Sequence, residues 1–228
     1  MATLRDPRVR PLLTSCLTLA MAIGVYAISF GVASVAVGAS VAQTCALSLL
    51  VFTGASQFSA VAVVAAGGSA ASAMSGALLL AARNTVFGLT MSRRLTGRLP
   101  KRLLAAQLVI DESTAMSTAQ DEPQLQRLAF WITGGAIYIF WNLGTLIGAL
   151  AGNAIDPRKF GLDAAIPAAF VAMLWPQLRT VRARLAAAIG ATLCLITIPF
   201  LPIGMPILIA SFGVLVGIPE PKPSEGRS

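Results

Sequence analysis

Apolar residues fall into long runs along this chain, and short polar or basic segments separate them. The runs occupy residues 12–37, 41–66, 69–91, 128–151, 160–178, 185–201 and 206–218. A helix needs about 20 apolar residues to cross a bilayer core of ~30 Å. The pattern therefore predicts an all-α polytopic membrane bundle. One membrane domain is expected over residues 1–218, followed by a disordered cytoplasmic tail over residues 219–228.

The composition agrees with a membrane protein and excludes a nucleic-acid-binding one. Hydrophobic residues make up 56% of the chain and charged residues only 11%, whereas a soluble domain has about 25% charged residues. The net charge of +8 sits in short clusters between the apolar runs, as topology-setting charges do. We therefore expect membrane lipid as the surroundings and no nucleic-acid partner. Cys16, Cys45 and Cys194 lie inside apolar runs, where small buried hydrophobes are expected rather than disulfides or metal ligands.

The basic clusters predict the topology, because cytoplasmic loops collect Lys and Arg. Clusters at residues 5–10, 93–102 and 179–184 all belong inside, and the first apolar run is too long for a signal peptide. Three full crossings would place the second cluster outside. One run, 41–66, is therefore expected to be re-entrant, and segment 103–119 likewise begins and ends inside. This gives six full crossings plus two partial ones, with both termini cytoplasmic; eight crossings with five cations outside is the alternative.

Arg83 lies inside the apolar run 69–91, where a cation costs roughly 2.5–3.5 kcal/mol on insertion scales. Asp111 and Glu112, in the segment LVIDES, are its natural partners if that segment enters the bundle. An Arg–carboxylate pair in a low-dielectric site would form a gate or a proton-coupled switch. The alternatives are that Arg83 snorkels to the headgroups and that both acids lie at the inner interface.

Polar residues interrupt the run 41–66 at FTGASQFS and suggest a substrate site. Gly54, Ser56 and Gln57 weaken a helix there, and the ends of half-helices bind the charged groups of substrates in many transporters. A packing seam with Gln57 bonded between helices is the alternative. Asn142, in the middle of a later run, contacts either substrate or a neighbouring helix. Secondary candidates are Asn84, Asp163, the other acid in apolar surroundings, and Pro167, which is either a hinge or a packing residue.

Small-residue faces predict close helix packing. Gly144, Gly148 and Gly152 form a double GxxxG, and Gly24, Gly31 and Gly38 recur every seven residues. Such faces let two helices approach closely. They serve either as a seam inside the chain or as a docking face for another subunit.

The chain has no histidine, which excludes HExxH metal sites, serine–histidine dyads and histidine proton relays. Asp111 and Asp163 are a formal aspartyl pair, but no flanking glycine motif supports them. We therefore expect no enzymatic activity, no metal and no cofactor.

Four blocks in order resemble the AzlC family, the large subunit of bacterial branched-chain amino-acid exporters. They are LLVFTGASQFSAVAVVAAGGS, ALLLAARNTVFGLTMSRRL, LVIDES and FGLDAAIPAAFVAMLWPQLR, and the similarity extends over about residues 20–215. Many relatives carry a pattern like NLRHLLYG in the second block, where this chain has Ala81 and Asn84 in place of Asn and His.

The resemblance implies a two-component exporter in the inner membrane. Its partner would be a small AzlD-type membrane protein, and its substrates would be valine, leucine, isoleucine or methionine, exported by means of the proton gradient. The missing histidine leaves both the substrate range and the coupling ion open. The alternatives from other classes are a non-transporting membrane scaffold and a small-molecule channel.

Overall fold

The computed structural model describes residues 7–154, 171, 174–175, 178–201 and 205–217, and none of these lies in a β-strand. The all-α prediction is therefore confirmed over these ranges. Asp163, Pro167 and the predicted tail lie outside them. The helices are α1 (Val9–Ala36), α2 (Val41–Leu50), α3 (Gly54–Ala65), α4 (Ala70–Ser92), α5 (Leu99–Gln107), α6 (Asp111–Thr118), α7 (Pro123–Ala154), α8 (Val181–Thr197), α9 (Met205–Ala210) and α10 (Val214–Gly217), with a 3₁₀ turn at Ser211–Gly213.

Two helices in the described ranges are long and apolar enough to cross a membrane. They are Val9–Ala36 in α1, with a mean hydropathy of 2.0, and Pro123–Gly152 in α7, with a mean hydropathy of 1.4. The helix α4 has 23 residues but carries Arg83 and several other polar side chains, which lower its hydropathy. The described residues thus show fewer clear spans than the six predicted.

A glycine seam joins α1 to α7. A Cβ at Gly144 would overlap the carbonyl oxygen of Gly24, and one at Gly148 would overlap that of Ile28. A Cβ at Gly152 would lie 2.6 Å from Cγ2 of Val35. Two backbones can approach this closely only where side chains are absent. The double GxxxG is therefore a seam within the chain.

The seven-residue repeat divides between two roles. Gly24 and Gly31 belong to the seam, since a Cβ at Gly31 would overlap the carbonyl of Thr145. Gly38 instead lies in the turn after α1, with a φ of +96° and open space around it. That left-handed conformation is one that glycine adopts without strain. The third glycine of the repeat thus ends the helix.

Buried hydroxyl pairs also connect α2 with α1 and with α7. Ser34 bonds Thr44 at 2.8 Å, and the Ser48 hydroxyl donates to Thr145 at 3.2 Å. All four side chains are buried. Bonds of this kind hold helices together where water is absent, because an unpaired hydroxyl would be costly there.

At two places in the described chain, a link of three non-helical residues separates one helix from the next. The helix α2 ends at Leu50 and α3 begins at Gly54, while α5 ends at Gln107 and α6 begins at Asp111. The predicted interruption of 41–66 is thereby confirmed, although Ser56 and Gln57 lie in the first turn of α3 rather than in the link. The segment 103–119 is interrupted as well. Both links lie against the same cavity, which makes them the elements that shape the candidate site.

Candidate functional site

A cavity of about 300 Å³ lies among α1, α4, α7 and the two helix links. The long helices contribute residues close to their middles, including Ile23, Arg83 and Ile137. Its walls combine polar residues (Tyr26, Thr53, Arg83, Asn84, Asp111 and Glu112) with apolar ones that include Ile23, Phe52, Ile110, Ile137 and Trp141. A largely apolar hollow with a few convergent polar groups is the usual form of a small-molecule site.

Arg83 and Asp111 form an ion pair across this cavity. The Nη1 of Arg83 lies 2.9 Å from Oδ2 of Asp111, and their side chains are 40% and 37% exposed. Glu112 lines the same cavity beside them. The structure therefore brings Arg83 to the acids of α6 that the sequence offered as partners. Because both ions stay partly accessible, a polar ligand can reach them.

Among the described residues of the cavity wall, two polar atoms have no hydrogen-bond partner. They are Oδ1 of Asp111 and the hydroxyl of Tyr26, and both atoms are buried. Buried polar atoms are nearly always hydrogen-bonded in native proteins, and each exception needs an explanation. Together with the ion pair, these atoms give the cavity a carboxylate acceptor and a hydroxyl that can donate or accept, and a ligand would satisfy both.

The starts of α3 and α6 present opposite electrostatic ends to the cavity. Gly54 and Ala55 line it, and Thr53 makes no side-chain cap bond to the first turn of α3. The first N–H groups of a helix lack intrahelical partners and favour anions. The start of α6 instead carries the carboxylates of Asp111 and Glu112. The cavity thus offers one anion-binding and one cation-binding end.

Gln57 does not line the cavity but organises the first link. Its buried side chain donates through Nε2 to the carbonyls of Val51 at 2.5 Å and Leu47 at 3.3 Å. Its Oε1 accepts from the indole Nε1 of Trp141 at 3.0 Å. Gly54 leaves room for the same ring, since a Cβ at that position would lie only 2.7 Å from Cη2 of Trp141. Both residues therefore position Trp141 on the cavity wall.

Side chains from elsewhere in the fold bond two further carbonyls at the end of α2. The Tyr138 hydroxyl and the Gln107 amide both donate to the Leu49 carbonyl at 3.1 Å, and Gln107 also reaches Leu50 at 3.4 Å. The last carbonyls of a helix otherwise stay unpaired. Gln107 thereby connects the second link to the first.

Ser113 organises the second link in a similar way. Its buried hydroxyl donates to the Leu108 carbonyl at 2.6 Å and accepts from the Ile110 N–H at 3.1 Å. The sequence analysis missed this residue, although its place in LVIDES was a usable signal. It missed Tyr26 too, whose only signal is a hydroxyl within an apolar run.

The other predicted site residues divide by position. Asn84 lines the cavity. Ser56 is buried and lies 3.4 Å from the Thr53 hydroxyl. Asn142 lies outside the cavity lining and donates to the Tyr138 carbonyl at 2.8 Å, while its Oδ1 is buried and unpaired. The substrate-binding roles given to Ser56 and Asn142 remain predictions, and Asp163 and Pro167 fall outside the described residues.

Comparisons with known proteins identify a family over residues that include the first three of the four blocks. The family model described as AzlC protein matches residues 18–155. The chain is 30% identical to inner membrane protein YgaZ of Escherichia coli (strain K12) over 157 residues, which are 65% of this chain and 64% of that protein. The match thus spans less than two thirds of the relative's length, and no solved structure matches the chain. Since the family model covers more than half of the chain, including both links and the Arg83–Asp111 pair, this protein belongs to the AzlC family.

Proposed function

We propose that this protein is the large subunit of a two-component exporter in the inner membrane. It would act with a small AzlD-type subunit. Together they would export valine, leucine and isoleucine, with methionine as a further substrate. We propose six full crossings and two interrupted segments, with both termini cytoplasmic. Family membership and the inner-membrane relative support this. Large apolar side chains on the outer face of α4, such as Leu78 and Leu89, are more than 60% exposed, which suits lipid contact.

The cavity at the Arg83–Asp111 pair is the observation that carries the proposal. An aliphatic amino acid is a zwitterion with an apolar side chain, and this cavity has an element for each part. The start of α3 and Arg83 suit the carboxylate, Asp111 and Tyr26 suit the ammonium, and walls such as Ile137 suit the side chain. Sites built from interrupted helices near the middle of the fold are typical of secondary transporters.

The ion pair provides a mechanism in which the substrate competes with the contact between Arg83 and Asp111. A bound zwitterion would replace the Arg83–Asp111 contact with two separate contacts, one to each of its charged ends. Protonation of Asp111 or Glu112 would weaken the hold on the ammonium and couple export to the proton gradient. The role of Gln57 in this scheme is to position Trp141 rather than to contact the substrate.

The two alternatives make different predictions. A scaffold would depend on glycine faces for assembly, but the described seam glycines of α7 pack against α1 within the chain. A channel would carry substrate at a rate that does not depend on the proton gradient. We infer that the protein is not an enzyme; the described residues that line its cavity include no histidine and no paired nucleophile and base.

Export from cells that lack the chromosomal gene tests the proposal. With the partner subunit co-expressed, wild-type protein is expected to lower intracellular valine, leucine and isoleucine, and an uncoupler is expected to remove the effect. Arg83→Ala should abolish export while membrane insertion persists, and Arg102→Ala, at an exposed arginine of the same charge, is the matched control. Export at normal rates by Arg83→Ala would refute the proposed site.

A further inference from the structure

A second cavity adjoins the first one. It has a volume of about 320 Å³ and lies between the two links and α4. Phe52, Thr53 and Asn84 line both cavities. These three residues therefore form a partition between the two cavities, which would be continuous without them.

The two cavities are stacked along α4. Arg83 and Asn84 face the first cavity, and Asn84 and Gly88 face the second. Because residues four apart lie one above the other on a helix, the second cavity is one turn closer to the basic end of α4 at Arg93. By the charge rule for cytoplasmic loops, that end faces inwards.

Phe52 supplies the largest side chain of the partition. It lies in the link between α2 and α3, at the apex of a three-residue turn that the Thr53 N–H closes with a 2.8 Å bond to the Val51 carbonyl. Its ring is 7% exposed and packs edge-on against Tyr138, with ring centroids 5.0 Å apart. A residue outside both helices can change its φ and ψ without breaking a helical bond, which is how hinges absorb motion.

The second cavity differs from the first in charge. Among the described residues, its polar lining consists of Thr53, Asn84 and Gln107, and none of the described lining residues is ionisable. Conduction through a protein requires sites that bind well enough to admit the substrate and weakly enough to release it. The second cavity, which has no charged group among its described lining residues, would bind a zwitterion more weakly than the cavity that contains the ion pair.

We propose that the two cavities are consecutive stations on one substrate route and that Phe52 is the gate between them. The inference rests on the proposed transport function and adds the route and its gate. The cytoplasmic station admits the amino acid, Phe52 swings away from Tyr138, and the zwitterion then reaches Arg83 and Asp111. No bond is made or broken in this step.

Flux through purified complex in vesicles tests the gate. Phe52→Trp is expected to lower valine flux at least tenfold, because a larger ring closes the partition. Phe52→Ala is expected to let valine run down its own gradient without a proton gradient. Phe200→Ala, at a phenylalanine that is 79% exposed, is the matched control. Unchanged flux and coupling in both Phe52 variants would overturn the gate.

Thiol labelling tests the route independently of any effect on folding. In a background with Cys45→Ala and Cys194→Ala, Gly88→Cys probes the second cavity only and Ala22→Cys the first only. Cys16 can stay because it is fully buried. Valine should slow labelling at both positions at least threefold, and should leave Leu89→Cys, an exposed control, unchanged. Protection at Ala22→Cys without protection at Gly88→Cys would overturn the route. A wild-type complex that carries no valine would instead refute the proposed function.

Discussion

Gln57 and Trp141 share a hydrogen bond of 3.0 Å that joins the first helix link to the wall of the cavity. The glutamine is fully buried, and its amide also bonds two carbonyls at the end of α2. One side chain thus satisfies an interrupted helix and fixes an aromatic ring of the site. The break between α2 and α3 and the position of Trp141 on the cavity wall therefore both depend on Gln57.

Gln57→Leu is expected to destabilise the protein by about 1–3 kcal/mol, because it leaves a buried indole N–H and two part-buried carbonyls with one partner fewer each. Thermal unfolding in detergent measures the loss, and tryptophan fluorescence should shift as Trp141 moves. Gln120→Leu, which removes one bond at a half-buried site, is the control. Equal melting temperatures for the two variants would show that Gln57 has no such role.

Charge exchange at the ion pair separates its structural role from its role in transport. Arg83→Ala and Asp111→Ala should each reduce transport at least tenfold, the equivalent of about 1.4 kcal/mol. The exchanged pair Arg83→Asp with Asp111→Arg should regain stability but not transport, since the charges then meet the wrong ends of the substrate. Melting temperature and valine flux, measured on the same preparations, check this. Recovery of flux by the exchanged pair would mean that the two residues only hold α4 to α6.

Tyr26→Phe tests the unpaired hydroxyl on the cavity wall. The variant should be as stable as the wild type or slightly more stable, because a buried polar atom without a partner is removed. Valine affinity should fall about tenfold, because that hydroxyl would bond the substrate. Titration calorimetry measures the dissociation constant of valine for the wild type and for the variant. Tyr138→Phe is an informative comparison, since that hydroxyl has a protein partner at the Leu49 carbonyl. Unchanged valine affinity in Tyr26→Phe would remove this residue from the site.

The glycine seam predicts a sharp contrast within one helix. Gly148→Ala should lower the melting temperature strongly, because the new methyl group would overlap the Ile28 carbonyl on α1. Gly135→Ala, on the same helix with open space around it, should be neutral or stabilising by up to about 1 kcal/mol, since alanine favours a helix over glycine. Similar effects from both substitutions would contradict the described packing.

The parts of the site that carry an energetic cost could be predicted from the sequence. An arginine within an apolar run requires a partner, and only Asp111, Glu112 and Asp163 were available in apolar surroundings. A glycine followed by polar residues in a run of membrane length likewise pointed to an interrupted helix. These inferences needed only the price of burying charge and the propensity of residues for a helix.

The remaining features depend on three-dimensional packing that composition does not encode. Gln57 could have pointed into the cavity or back towards α2, and only the fold decides between them. The Tyr26 hydroxyl has no hydrogen-bond partner among the described residues, and no pattern in α1 reveals this. The role of Phe52 follows from two hollows that meet at one ring, and a hydrophobic residue in an apolar run gives no warning of this.

The most direct test of the central claim is a competition experiment on the purified wild-type complex. Bound labelled valine would be displaced by unlabelled valine, by isobutylamine, which lacks the carboxylate, or by 3-methylbutanoate, which lacks the ammonium. If one cavity binds both charged ends of the substrate, each truncated analogue should compete at least ~100-fold more weakly than valine, because it leaves a polar group of the site unpaired. An analogue that competes as well as valine would contradict a zwitterion site at Arg83 and Asp111.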